Sequence, residues 1–87
     1  MYYVYILNNP KVGKLYIGYT SNLKRRLREH ELGRVRTTRV FGKNVKLIYY
    51  EAYRDQQDVK NRERSFKMSG SVYNGLVKRI KRSREGL

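Results

Sequence analysis

Two apolar-aromatic runs open the chain. Tyr2-Tyr3-Val4-Tyr5-Ile6-Leu7 and Leu15-Tyr16-Ile17-Gly18-Tyr19 flank a connection that holds Asn8, Asn9, Pro10 and Gly13. Aromatic and β-branched residues bounded by turn formers predict a strand, a loop and a second strand. With a period of two, Tyr3, Tyr5 and Leu7 share one face of the first strand, and Val4 and Ile6 the other. In the second strand Leu15 and Ile17 oppose Tyr16 and Gly18. A hairpin would bring tyrosines of both strands together. Gly18 would leave a spot without a side chain where another group can approach the backbone. Tyrosine is also an ordinary strand residue, so the pattern alone fits plain hairpin packing.

The pattern then changes period. Thr20, Ser21 and Asn22 can cap a helix over Leu23–Leu32, with Gly33 as its stop. Residues 34–44 have few apolar positions and read as a basic loop. Val45–Tyr53 is rich in Val, Leu, Ile and Tyr and predicts a third strand, central and buried on both faces around Leu47, Ile48 and Tyr49. Asp55 and Asp58 open a second helix that runs to about Lys67, with acids where the helix dipole favours them. Ser69, Gly70 and Ser71 break it. Tyr73, Leu76, Val77 and Ile80 then give the spacing of a third helix. The order β-β-α-β-α-α predicts one α+β domain over 1–87.

Helical spacing places several polar residues inward. At about 100° per residue, Arg26 and His30 fall on the side of Leu23 and Leu27, while Lys24, Arg25 and Arg28 face away. Arg26 either reaches a partner or packs its stem and holds its head at the surface. His30 is either a core-edge histidine or a working group. Glu63 falls near Val59 and Phe66 on the second helix. A carboxylate there wants a cation: Arg26, Arg62 or a metal ion.

Charge sharpens the picture. Lys and Arg number 21 against 7 Asp and Glu, for a formal charge of +14. A small domain so basic calls for a polyanionic partner, with nucleic acid first. Arg34, Arg36, Arg39 and Lys43 in the loop, and Lys78 and Arg82 on the third helix, are candidate phosphate contacts. There is no cysteine, hence no disulfide or thiolate metal site. No apolar run is long enough to span a membrane, and no signal-peptide pattern opens the chain, so a cytoplasmic setting is expected.

Tyr5, Tyr16, Arg26, His30 and Glu63 together can serve one chemistry. Phosphodiester hydrolysis needs a cation on the phosphate, a base for the attacking water and, where a metal helps, a carboxylate to hold it. Walker-type loops, Cys/His metal clusters and Ser-His-Asp arrangements have no counterpart here. Tyr3-Val4-Tyr5, the spacing to Tyr16-Ile17-Gly18, Arg26, His30 and Glu63 in Asn61-Arg62-Glu63-Arg64-Ser65-Phe66-Lys67 resemble the GIY-YIG nuclease domain. The likeness covers about residues 2–80. It is nearest to small standalone bacterial and archaeal proteins related to the N-terminal nuclease domain of the excinuclease C subunit. Tyr3 stands where the family name has glycine, and Asn74 loosely matches a late family asparagine.

The resemblance implies a three-stranded antiparallel sheet with flanking helices. It implies a DNA endonuclease, in repair or processing, with one Mg²⁺ or Mn²⁺ held by Glu63. Tyr5 and Tyr16 would position or deprotonate water, Arg26 would hold the scissile phosphate and His30 would assist. The products would be a 5′-phosphate and a 3′-hydroxyl. RNA as partner, a protein that selects the substrate, and a binding module that keeps the fold without cutting are the alternatives.

Overall fold

The computed structural model describes residues 1–9, 11, 13–39 and 45–85. The elements are β1 (Tyr2–Asn9), β2 (Lys14–Thr20), α1 (Leu23–Glu31), β3 (Lys46–Tyr53), α2 (Gln56–Met68), α3 (Gly70–Arg79) and a short α4 (Lys81–Arg84). The strands form one antiparallel sheet in the order β2-β1-β3. This is the α+β arrangement the pattern predicts.

The third strand is not central. β1 takes the middle position, and Val4 through Asn9 are all buried. β3 lies at an edge. Its uneven alternation has a cause: Ile6 pairs with Tyr49 but Leu7 with Leu47, so Ile48 is an extra residue, a β-bulge. Tyr49, Glu51 and Tyr53 therefore share the Val4–Ile6 face, while Tyr50 faces with Tyr5.

The two sheet faces carry separate cores. Val4, Ile6 and Ile17 pack with Val59 and Phe66 of α2, Leu76 of α3 and Ile80. Tyr5, Leu7 and Val45 pack with Leu23 and Leu27 of α1. The period-two and period-3.6 patterns thus meet as a helix–sheet–helix stack. Asn22 caps α1 by accepting from Arg25 N at 3.0 Å, and Asp55 caps α2 by accepting from Gln57 N at 2.8 Å. Gly33, with φ of 71°, ends α1 in the left-handed conformation that glycine adopts freely.

Ser69 ends α2 and caps α3, so the expected break becomes a sharp corner between two helices. Behind it, Glu51 accepts from Arg62 Nε and NH2 at 2.9 and 3.1 Å and from the hydroxyls of Tyr49 and Tyr53. Arg62 also stacks on Phe66, 4.3 Å from the ring centre. Burial opposes ionisation of Glu51, yet these donors hold its carboxyl below the ordinary value. The bidentate pair ties α2 to β3 and fixes which way α2 turns its other residues. Among the described residues no helix is long and apolar enough to cross a membrane.

Candidate active site

Tyr5 points from the central strand toward α1 and is 1% exposed; His30, from the last turn of α1, is fully buried. The Tyr5 hydroxyl and His30 Nε2 are 2.9 Å apart. On the other side of the ring, His30 Nδ1 lies 2.6 Å from Thr38 Oγ1. The Thr38 hydroxyl is aimed at Val35 O, 3.5 Å away. If the Thr38 proton goes to that carbonyl, its oxygen accepts from Nδ1–H, and Nε2 is left to accept from Tyr5. This is the tautomer that satisfies all three contacts. In that tautomer His30 presents an accepting Nε2 to a tyrosine.

The electrostatics keep both groups neutral at rest. Burial, joined by the positive charge of Arg26, pulls His30 down to about 4. Burial pushes Tyr5 up to about 12, against the opposing pull of Arg26. Arg26 therefore sits close enough to act on both. Its NH1 donates to Glu29 Oε1 at 3.1 Å, one turn along the same helix. The expected partner Glu63 is not its partner.

Tyr16 completes the aromatic cluster. Its ring centre is 5.1 Å from that of His30 and 6.2 Å from that of Tyr5. Gly18 pairs directly with Tyr5 across the strands. The side-chain-free spot foreseen there is filled by Tyr5 itself: a Cβ on Gly18 would lie 2.6 Å from the Tyr5 hydroxyl oxygen and 3.0 Å from Tyr16 Cε1. Tyr5 is held by His30 and has nowhere to move. Gly18→Ala is expected to cost about 1–3 kcal/mol. Thermal melts should show a loss of roughly 4–8 °C per kcal/mol. An unchanged melting point would mean that the tyrosines are free to retreat.

Glu63 stands apart from this cluster. α2 packs on the Val4–Ile6 face, opposite Tyr5. Glu63 lines a groove with Tyr19, Lys60 and Arg64, and its Oε2 is 3.5 Å from Lys67 Nζ. Arg62, the other expected partner, belongs to Glu51. Glu63 and Tyr5 thus reach β2 from opposite faces, at the neighbouring residues Tyr19 and Gly18. Among the described residues, no group of three or more His, Asp or Glu side chains that could hold a metal converges. A single hard carboxylate with a half-exposed ammonium beside it still fits an ion that keeps most of its waters.

Sequence comparison decides the ancestry of this arrangement. Residues 1–75 match the GIY-YIG catalytic domain. The chain belongs to the GIY-YIG family. A UPF0213 protein of Streptococcus agalactiae is 38% identical over 65 residues, which cover 75% of this chain and 73% of that one. A UPF0213 protein of Clostridium perfringens is 41% identical over 64 residues, 72% of this chain and 67% of its own. One from Pediococcus acidilactici, encoded in the ldhD 5′ region, is 44% identical over 55 residues, 61% and 56% of the two chains. No solved structure matches this chain.

The GIY-YIG domain is a nuclease domain, so a nuclease-type function and contact with nucleic acid follow for this member. The remaining candidate positions divide between layers. Arg34, Arg36 and Arg39 are exposed beside α1, with Arg39 Nε donating to Gly33 O at 3.2 Å. Asn74, Lys78 and Arg82 are exposed on α3 and α4, beyond the other sheet face. Among the described residues, these two groups lie on opposite sides of the sheet. Lys43 lies outside the described residues.

Sequence reasoning missed Thr38. It sits in a 3₁₀ turn over 36–39 inside the stretch read as loop, yet it is fully buried. Only the pairing of Val35 and Thr38 amid arginines hinted at an inward face. Glu29 was legible, three residues after Arg26 on one helix.

Proposed function

We propose that this GIY-YIG protein is a metal-dependent DNA endonuclease of the cytoplasm, serving DNA processing or repair. The observation that carries this reading is the buried chain Tyr5–His30–Thr38 lying against Arg26 and Tyr16. A purely structural core would not need a neutral histidine aimed at a tyrosine beside an arginine.

Arg26 reaches the phosphate and offsets the charge that builds on it. Tyr5 and Tyr16 orient the attacking water and take its proton, which passes through the Tyr5 hydroxyl to His30 Nε2. Tyr5 does not store a negative charge beforehand. Moving its proton to His30 in the resting site is uphill, because burial raises the Tyr5 pKa and lowers that of His30. The transfer therefore accompanies attack. Thr38 holds the imidazole in the accepting tautomer. The water oxygen forms the new P–O bond, the bond to the 3′ oxygen breaks and that oxygen takes a proton, leaving a 5′-phosphate.

Glu63 would hold one Mg²⁺ or Mn²⁺. When bound, that ion supplies charge neutralisation at the phosphate and acidifies water. Lys67 must release the Glu63 carboxylate for this, and its half-exposed side chain can do so.

The test is cleavage of nicked, branched and supercoiled DNA with Mg²⁺, beside Glu63→Ala and Arg26→Ala. Wild-type cutting should be abolished by chelation and fall at least about 100-fold in either variant. Equal trace cleavage by all three proteins would leave only the binding module, with Glu63 serving as an ordinary helix ion pair.

A further inference from the structure

The sheet face that carries Tyr5 continues into a groove that the chemistry above does not use. Tyr3 and Tyr50 meet there edge to face, with ring centres 5.9 Å apart and planes at 66°. Tyr50 is directly opposite Tyr5 in the β1–β3 register and is 52% exposed. Leu23 and Leu27 form the far wall, giving a cleft of about 450 Å³. Asn22 and Lys24 line this cleft and also the next one along α1, where Arg25, Arg28 and Arg34 stand. The two are therefore neighbours along α1. The carboxylate of the second cleft, Glu29, is engaged by Arg26.

We propose that these adjacent clefts form a subsite for a DNA strand with an unpaired base. The base stacks on Tyr50, and the adjoining backbone follows Lys24, Arg25, Arg28 and Arg34. Resting on the nucleic-acid reading above, the proposal adds the form of the substrate. The juxtaposition argues for it. A half-exposed aromatic ring next to a basic helix face matches what a single strand offers, a flat base face beside a phosphate. A duplex offers the phosphates but keeps its base faces stacked inside, so Tyr50 can discriminate between the two. Its place opposite Tyr5 puts the unpaired nucleotide next to the reacting site.

Binding of labelled single-stranded, flapped and blunt duplex DNA of one sequence, in chelator, tests this with the full chain. Wild type should prefer the single-stranded and flapped probes. Tyr50→Ala should weaken those two by about 5- to 100-fold, the range of one base–aromatic stack. Its affinity for the duplex should stay within about twofold. Tyr50→Trp should restore the preference, and melting curves confirm that each variant folds. Arg28→Ala should instead lower affinity for all probes and flatten the salt dependence by about one phosphate contact.

Equal losses on duplex and single strand, no loss, or a wild type indifferent to pairing would overturn the subsite. Cleavage of the same flapped probe with Mg²⁺ separates this from the enzymatic reading. Tyr50-dependent binding without cutting defeats the nuclease alone, and cutting that ignores Tyr50 defeats the subsite alone.

Discussion

Tyr5→Phe is expected to lower kcat for strand cleavage by about 10²- to 10⁴-fold, the usual worth of a positioned proton-transfer group. KM should change less than kcat, because phenylalanine keeps the ring that fills the space over Gly18 and loses only the hydroxyl's interaction with Arg26. What is lost is the hydroxyl 2.9 Å from His30 Nε2, the proposed route for the water's proton. The variant also leaves Nε2 buried without a donor, which costs about 1–3 kcal/mol of stability. Melting curves measure that cost separately, so cleavage is read at a temperature where both proteins are folded. Retention of wild-type kcat would place the proton path elsewhere and reduce Tyr5–His30 to a buried polar contact. A fall in kcat matched by an equal rise in KM would point to substrate binding rather than proton transfer.

The cluster around that hydroxyl was only partly legible in the amino-acid sequence. Tyr5, Tyr16, Arg26 and His30 were found because two periodicities, two for strands and 3.6 for a helix, independently aim them at one sheet face. Thr38 escaped because a 3₁₀ turn has neither period and sits amid arginines that suggest solvent. The edge position of β3 escaped for another reason. An apolar-rich strand looks central, but Tyr49 and Tyr53 are amphipathic and spend their hydroxyls on Glu51. The bulge at Ile48 then erases the alternation that would have shown an exposed side.

Glu63 shows a limit of one-helix reasoning. The wheel rightly put it near the core side of α2, but could not say which sheet face α2 would cover. That choice follows from Arg62 locking onto Glu51 and from Val59 and Phe66 burying against Val4 and Ile6. Glu63 then comes to the open β2 edge with Lys67 as its neighbour, and the Arg26 pairing is lost to Glu29. The same geometry explains how one site can draw on both layers. β2 is an edge strand, so groups on its two faces can meet a ligand that lies along that edge.

Acidification between about pH 6.5 and pH 4 is expected to destabilise the fold by about 3 kcal/mol through His30 alone. Its pKa is pulled from 6.5 to about 4 by burial and by Arg26, and each pKa unit corresponds to about 1.4 kcal/mol. In this window the unfolded chain binds a proton that the folded chain refuses, so stability rises with pH. The contribution is complete above about 6.5 and falls away as pH drops toward 4. An imidazolium here would point Nε2–H at a tyrosine that now donates to it and would face Arg26, whose repulsion Glu29 offsets only in part. For a domain of this size the melting point should drop by roughly 12–24 °C across the window. The chain has a single histidine, so His30→Gln should flatten this slope while keeping a neutral side chain. Glu51 is separable in the upper part of this window, since its lowered carboxyl pKa gives stability that begins to be lost only as pH falls to the ordinary carboxylate value. A wild-type melting point unchanged between pH 7 and pH 5, or a slope that survives in His30→Gln, would mean that the imidazole is not held neutral. The proton acceptor required of Nε2 would then be missing from the site.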